Sequence, residues 1–233
     1  MAPHDTPASD GPAPTRRALR PLGLGLWWWL LLALAVGVLL GGGVGLLRHR
    51  GSTSPLSTVA AAPVATWQPG ARRAPDFQLA DASGVPISLR QFRGRPVIVT
   101  FLDPVCHSLC PLEAAELNRA LAQLPAAKRP AVISVSVNPW ADSRAAFRAD
   151  ARKWRLGPEW RWAAGSYARL APVWKHYKIG VLETKKVVAG VAVRDVSHTE
   201  ASYLVDARGY ERALFLYPFR GEDVAAELER VSS

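Results

Sequence analysis

The chain has 233 residues, 49% of them hydrophobic and 21% charged, which excludes a disordered chain and suits one domain of ordinary size with additions. Its net charge of +10 is split, with +5 falling before Pro75 and +5, from 22 basic and 17 acidic residues, after it. The later arginines are scattered rather than gathered in a stripe with interleaved aromatics, which argues against a nucleic-acid partner.

Residues 1–21, rich in Pro, Ala, Asp and Ser, read as a disordered tail. Residues 22–47, Leu22 to Leu47, carry no charge over 26 positions. As a helix they would run about 39 Å, against a hydrocarbon core of roughly 30 Å. Trp27, Trp28 and Trp29 sit near the arginine-bearing end, where indoles favour the headgroup layer. A cleaved signal peptide would have a shorter apolar region and a small-residue cleavage site, whereas here Arg48-His49-Arg50 follows at once. The segment is therefore expected to be a single transmembrane helix. Arg16, Arg17 and Arg20 before it, against Arg48 and Arg50 after it, favour a cytoplasmic N-terminus and an extracytoplasmic C-terminal domain in the cell membrane. Residues 48–74, rich in Ser, Thr, Ala, Pro and Gly, read as a flexible linker.

The folded domain is expected over residues 75–233. "PDFQLADASGVPISLRQF" reads as two short strands around a Ser83-Gly84 turn. Arg95 to Leu102 is a continuous apolar, β-branched run, the pattern of a strand covered on both faces. Pro111 opens a helix closed by Pro125, with Leu112, Ala115, Leu117 and Leu121 at helical spacing. Ala131 to Val137 is a second buried-type strand. Asp142 to Trp154 reads as a helix capped by Asp142 or Ser143. Trp160 to Ala164 reads as a short strand, and a third helix follows, with Pro172 near its middle or breaking it. Gly180 to Ser197 fits no helix and is expected to be an inserted loop or hairpin. Two strands joined at Arg208-Gly209 and a terminal helix from Gly221 complete the chain. Strands alternating with helices, then a hairpin and a closing helix, predict an α/β sandwich with a mixed sheet, compatible with a thioredoxin-like topology.

The two cysteines of the chain, Cys106 and Cys110, have three residues between them where the buried strand gives way to the helix. A helix N-terminus offers unpaired N–H groups and positive potential, which favour a thiolate. A structural disulfide, a redox dithiol and a pair of soft metal ligands are the three alternatives. A bridge enclosing three residues constrains the unfolded chain little, which weighs against the first. Two thiolates alone suit Cu(I), and a third ligand is needed for Cu(II) or for tighter hold. Of the five histidines, His4 lies in the tail and His49 borders the apolar run. His107 stands between the cysteines, where chelation with both is awkward, and His176 reads as a surface or packing residue. His198 lies in polar sequence before the strand Ser202 to Asp206, on the side expected to face the cysteine turn.

Pro75 to Val231 resembles the Sco/SenC family of membrane-anchored, thioredoxin-like copper proteins. The resemblance rests on "APDFQLADASGVPISLRQFRGRPVIVTFLDPVCHSLCP", on "AVISVSVNP" and on "DVSHTEASYLVDARG". It implies Cys106, Cys110 and His198 as ligands of a copper ion. It also implies a chaperone that delivers copper to, or keeps reduced the cysteines of, the binuclear copper centre of cytochrome c oxidase subunit II. The chain departs from many members in placing His107, Ser108 and Leu109 between the cysteines and Asp103-Pro104 before the first, so that His107 and Asp103 are candidates for tuning the site. The opening segment is shared with reductase-type and peroxidase-type relatives. An enzyme in which Cys106 and Cys110 form a catalytic thiol–disulfide pair is therefore the alternative reading.

Overall fold

The computed structural model describes residues 63–232, together with Trp28 and Leu32. The expected tail and, but for those two residues, the expected membrane span lie outside the described residues. Among the described residues no helix is long and apolar enough to cross a membrane.

In chain order the elements are β1 (Ala65–Thr66), β2 (Leu79–Ala80), β3 (Pro86–Ile87), β4 (Val97–Leu102), α1 (Cys110–Ala122), β5 (Ala131–Ser136), α2 (Arg144–Lys153), β6 (Trp160–Ala163), α3 (Tyr167–His176), β7 (Val181–Val188), β8 (Val191–His198), β9 (Ala201–Val205), β10 (Glu211–Leu216) and α4 (Gly221–Ser232). Six strands form one sheet in the order β1-β10-β9-β4-β5-β6. β4, β5 and β6 run parallel, while β9, β10 and β1 run antiparallel to their neighbours. This is the mixed sheet of a thioredoxin-like α/β sandwich.

Every residue of β4 and β5 is buried, because helices or strands cover both faces of the sheet. The alternation of a strand divides the β4 side chains between two cores. Val97, Val99 and Phe101 pack with Leu170, Trp174 and Tyr177 on the α3 side. Ile98 and Leu102 pack with Leu117 and Leu121 of α1 and with Val224 and Leu228 of α4. α4 lies close against α1: a Cβ on its first residue, Gly221, would come within 2.5 Å of the Glu116 carbonyl oxygen. Glycine is required there by the approach of two backbones.

Two expectations need correcting, and two alternatives left open are resolved. Residues 64–74 are not linker but part of the domain. Val64 and Trp67 donate to the Leu214 and Arg212 carbonyls, Ala74 donates to Gly209, and Arg72 pairs with the buried Glu211 at 2.5 Å. β10 would otherwise present an open edge, and main-chain pairing places almost no demand on side chains, so an Ala/Thr/Pro-rich segment can supply it. The buried stripe of α1 is Cys110, Glu113, Ala114, Leu117, Ala120 and Leu121, leaving Leu112 and Ala115 exposed. α3 runs through Pro172 without a break. The proline is exposed, so water can reach the carbonyl that loses its partner. The cap of α2 is Ser143, whose Oγ accepts from Ala146 N at 3.0 Å.

Asp142 has another task. Its Oδ1 accepts from Ser136 Oγ at 2.6 Å while its Oδ2 has no partner. Burial, with the Asp103 charge nearby, pushes its pKa up to about 7 from an ordinary 3.8. Between those values the folded state holds a proton that the unfolded chain releases. Its contribution is therefore full below about pH 4 and is lost as pH rises toward 7. Asp142→Asn is expected to gain stability over the parent as pH rises from 5 to 8, by at most about 1.4 kcal/mol per pH unit. Thermal melts across that range check it, and a difference that does not change with pH would refute it.

The segment Gly180 to Ser197 is a hairpin. β7 and β8 pair in register from Val181↔His198 to Val188↔Val191. Ala189 and Gly190, at φ 50° and 79°, make the tight turn. The ribbon stands apart from the main sheet, and Val187, Val188 and Val191 at its end are exposed. Its base returns to the domain where Thr199 N donates to Gly180 O at 2.9 Å and Gly180 N donates to Thr199 Oγ1 at 3.1 Å.

Candidate metal centre

Cys106 and Cys110 sit where β4 ends and α1 begins. Asp103 shapes this turn: its Oδ1 accepts from Val105 N at 2.9 Å, and its carbonyl accepts from Cys106 N at 3.1 Å. Both carboxylate oxygens of Asp103 also accept from Asn138 Nδ2 at 3.1 Å, which ties the turn to the end of β5. Burial raises the Asp103 pKa against these hydrogen bonds, which lower it. Cys106 is half-buried and Cys110 fully buried, and both thiols are free.

The two sulfurs share one proton unequally. Cys106 is held down at about 4, first because Cys110 donates to it. The Ser108 hydroxyl and the N–H groups of Ser108 and Cys110 add to this, against the cost of burial. The Cys110 pKa is pushed up by the same sharing, by burial and by the Glu200 carboxyl. At neutral pH the arrangement is thus a Cys106 thiolate accepting from a Cys110 thiol, set at the start of a helix whose first N–H groups face the anion.

His198 is the last residue of β8, anchored by its pairing with Val181 rather than carried on a loop. Its Nδ1 faces the Thr199 carbonyl at 3.1 Å. A carbonyl only accepts, so that nitrogen carries the hydrogen and the opposite one, Nε2, is turned inward. Nε2 lies 3.5 Å from Cys110 Sγ and 3.3 Å from Glu200 Oε1. One ligand atom each from Cys110, His198 and Glu200 lies within 4.8 Å of the others.

Behind this cluster lies Glu113, fully buried on α1. Thr100 on β4 and Ser202 on β9 are register partners, so their hydroxyls leave the sheet on the same face, and both donate to Glu113 Oε1 at 2.8 Å. Glu200 is held up at about 9, by burial first and then by its hydrogen bond and charge interaction with Glu113. Beside Cys106 a cleft of about 240 Å³ opens between Asp103, Asn138, His107 and the β8 residues Arg194 to Val196. Arg194 is fixed there by stacking on Trp140 at 4.3 Å and by pairing with Glu183.

Of the sequence-derived candidates, Cys110 and His198 come together, Cys106 neighbours Cys110 but falls outside the cluster that Cys110 forms with His198 and Glu200, and Asp103 lies beneath the turn. His107 does not join them: it is exposed and accepts from Lys153 Nζ at 3.2 Å. His176 is exposed on α3. Sequence reasoning missed Glu113, Asn138 and Glu200. Glu200 alone carried a signal, as a carboxylate two positions after the candidate histidine.

A thioredoxin-like domain that sets a Cys-x-x-x-Cys turn against a histidine 88 positions beyond the second cysteine is the class of protein defined here. The SCO1/SenC family model matches residues 66–233, and the chain belongs to this family. Solved structures agree. ScoI of Bradyrhizobium japonicum with copper bound is 25% identical at a TM-score of 0.57, covering 68% of this chain and 99% of that one. Yeast Sco1 with copper bound is 20% identical at a TM-score of 0.60, covering 70% and 90%. BsSco, described as a member of the Sco family of cytochrome c oxidase assembly proteins with a disulfide switch, is 20% identical at a TM-score of 0.55, covering 73% and 95%. A comparison with curated proteins gave no match.

Proposed function

We propose that the protein is a copper chaperone whose cargo is held by the Cys106 and Cys110 sulfurs and His198 Nε2. The observation that carries this reading is the approach of His198 Nε2 to Cys110 Sγ, 3.5 Å across 88 residues of sequence, with the ring's other nitrogen taken by the Thr199 carbonyl. Two sulfurs and one imidazole are a soft donor set, suited to copper. The copper-bound relatives support the choice of metal. The site also suits transfer. Cys106 is half-buried, and Val105, Leu109 and Leu112 around it are 45%, 43% and 50% exposed, an apolar rim on which an acceptor's cysteines can approach for ligand exchange. The acceptor in this reading is the binuclear copper centre of cytochrome c oxidase subunit II. Leu22 to Leu47 would anchor the chain in the cell membrane with the domain on the extracytoplasmic side.

A second reading has a specific observation in its favour. An accessible thiolate beside a buried thiol is the arrangement of an attacking and a resolving cysteine, so the pair can also serve as a thiol–disulfide oxidoreductase that keeps partner cysteines reduced. His198→Ala separates the two. With the reduced full chain in detergent, the parent is expected to hold about one equivalent of copper, and the variant to lose about a hundredfold or more in affinity. Reduction of a small disulfide should stay within about twofold, because Cys110 rather than His198 sets the Cys106 thiolate. Unchanged copper affinity with impaired exchange would favour the oxidoreductase.

A further inference from the structure

We infer that Glu200 is a fourth donor at this centre, a hard oxygen ligand that extends the site from Cu(I) to Cu(II). The inference rests on the copper reading above and goes beyond its three ligands.

Glu200 follows His198 by two residues and enters β9, and its backbone is fixed, the carbonyl accepting from Tyr217 N at 3.0 Å. Its side chain is only 12% exposed and that of His198 3%. Oε1 lies 3.3 Å from His198 Nε2, and a carboxylate oxygen, Nε2 and Cys110 Sγ fall within 4.8 Å of one another, a spacing that one ion bonded to all three can span. Oε2 is buried without a hydrogen-bond partner. Among the described residues no lysine or arginine pairs with Glu200, and His198 Nε2 is the nitrogen beside its carboxyl.

Orienting the imidazole does not account for this carboxylate. The Thr199 carbonyl already fixes the ring through Nδ1. Packing does not account for it either, since a buried carboxyl with an orphan oxygen is costly unless a cation or a donor answers it. Glu113 behind it can answer only by sharing a proton, because its Oε1 is occupied by the Thr100 and Ser202 hydroxyls and its Oε2 has no other partner. A cation between Cys110, His198 and Glu200 would satisfy the carboxylate, Nε2 and the sulfur together.

The oxidation state follows from donor chemistry. Cu(I) is content with sulfur and imidazole donors, and an added oxygen changes its binding little. Cu(II) prefers four donors in a tetragonal set that includes nitrogen and oxygen. Glu200 would therefore matter for Cu(II) and hardly for Cu(I).

The test uses the reduced full chain in detergent, loaded anaerobically with Cu(I) or Cu(II) and compared with Glu200→Gln, Glu200→Asp and His198→Ala. Glu200→Gln is expected to weaken Cu(II) by about tenfold or more and to alter the Cu(II) electron paramagnetic resonance spectrum, with Cu(I) affinity against a chelator changed by less than about threefold. Glu200→Asp, which keeps a carboxylate, should recover part of the Cu(II) affinity and a parent-like spectrum. If the parent binds copper and His198→Ala weakens it, while Glu200→Gln leaves the Cu(II) spectrum and affinity unchanged, the fourth-donor assignment is overturned and the chaperone reading stands. If the parent holds no copper, both fall.

Discussion

Cys110→Ala is expected to raise the titration midpoint of Cys106 well above about 4, toward the ordinary thiol range. The hydrogen bond from Cys110 is the largest of the influences that hold Cys106 down, and alanine removes it while filling most of the same buried space. The Ser108 hydroxyl and the first N–H groups of α1 remain, so the midpoint should stop short of an unperturbed thiol. At a pH below the new midpoint, the thiolate fraction falls about tenfold for every further pH unit that separates the two. Alkylation at about pH 6 falls by less than the thiolate fraction does, because a more basic sulfur is also more nucleophilic. Ultraviolet absorbance of the thiolate reads the midpoint directly. Cys110→Ser is the control: its hydroxyl can still donate, and it should keep much of the depression. If alanine and serine behave alike, or if the alanine variant still titrates near 4, Cys110 is not the donor that makes Cys106 a thiolate. The same pairing bears on cargo uptake. In the parent the shared proton must leave before both sulfurs can ligate, so copper affinity should fall by about tenfold for each unit that pH drops across the neutral range.

How far the sequence reveals this centre depends on what kind of force places each residue. β4 and β5 are legible because a strand buried on both faces must be apolar at nearly every position, and the runs from Val97 and Ala131 are. The cysteine turn is legible because two thiols at a strand-to-helix junction have few structural uses. Glu113 is hidden because periodicity assigns a glutamate in a first helical turn to solvent. Only the register of β4 against β9, which brings the Thr100 and Ser202 hydroxyls onto one face, makes its burial tolerable. That pairing spans about a hundred residues and leaves no local mark, and as a result periodicity places the apolar stripe of α1 on Leu112 and Ala115 instead. Residues 64–74 are hidden for a different reason. They join β10 through main-chain bonds, which any composition can make. His198 is nominated by its position before β9 and by family resemblance. Its anchoring at the base of a ribbon is a product of the β7–β8 pairing, which a segment readable as loop or hairpin does not specify.

The largest effect on cargo is expected from Cys106→Ala together with Cys110→Ala: loss of copper affinity by about a thousandfold or more, with the fold intact. Two of three soft donors vanish, and His198 and Glu200 are left as a nitrogen and an oxygen without sulfur. The fold should survive because neither thiol holds it together. The cysteines are unbridged, and even a bridge between them would close too short a loop to constrain the unfolded chain much. Cys110 is buried with Ala114, Leu117 and Leu102, so removing its sulfur leaves a small void, at a cost of about 1 kcal/mol, whereas Leu117→Ala in the same core should cost about 2–5 kcal/mol. Cys106 is half-buried and should contribute less still. For a domain of this size the double variant should then melt within about 4 °C of the parent. Copper content after dialysis, measured beside the melting curve, decides the matter. A double variant that melts like the parent and still retains copper equally well would place the cargo elsewhere on the chain and end the chaperone assignment of this centre.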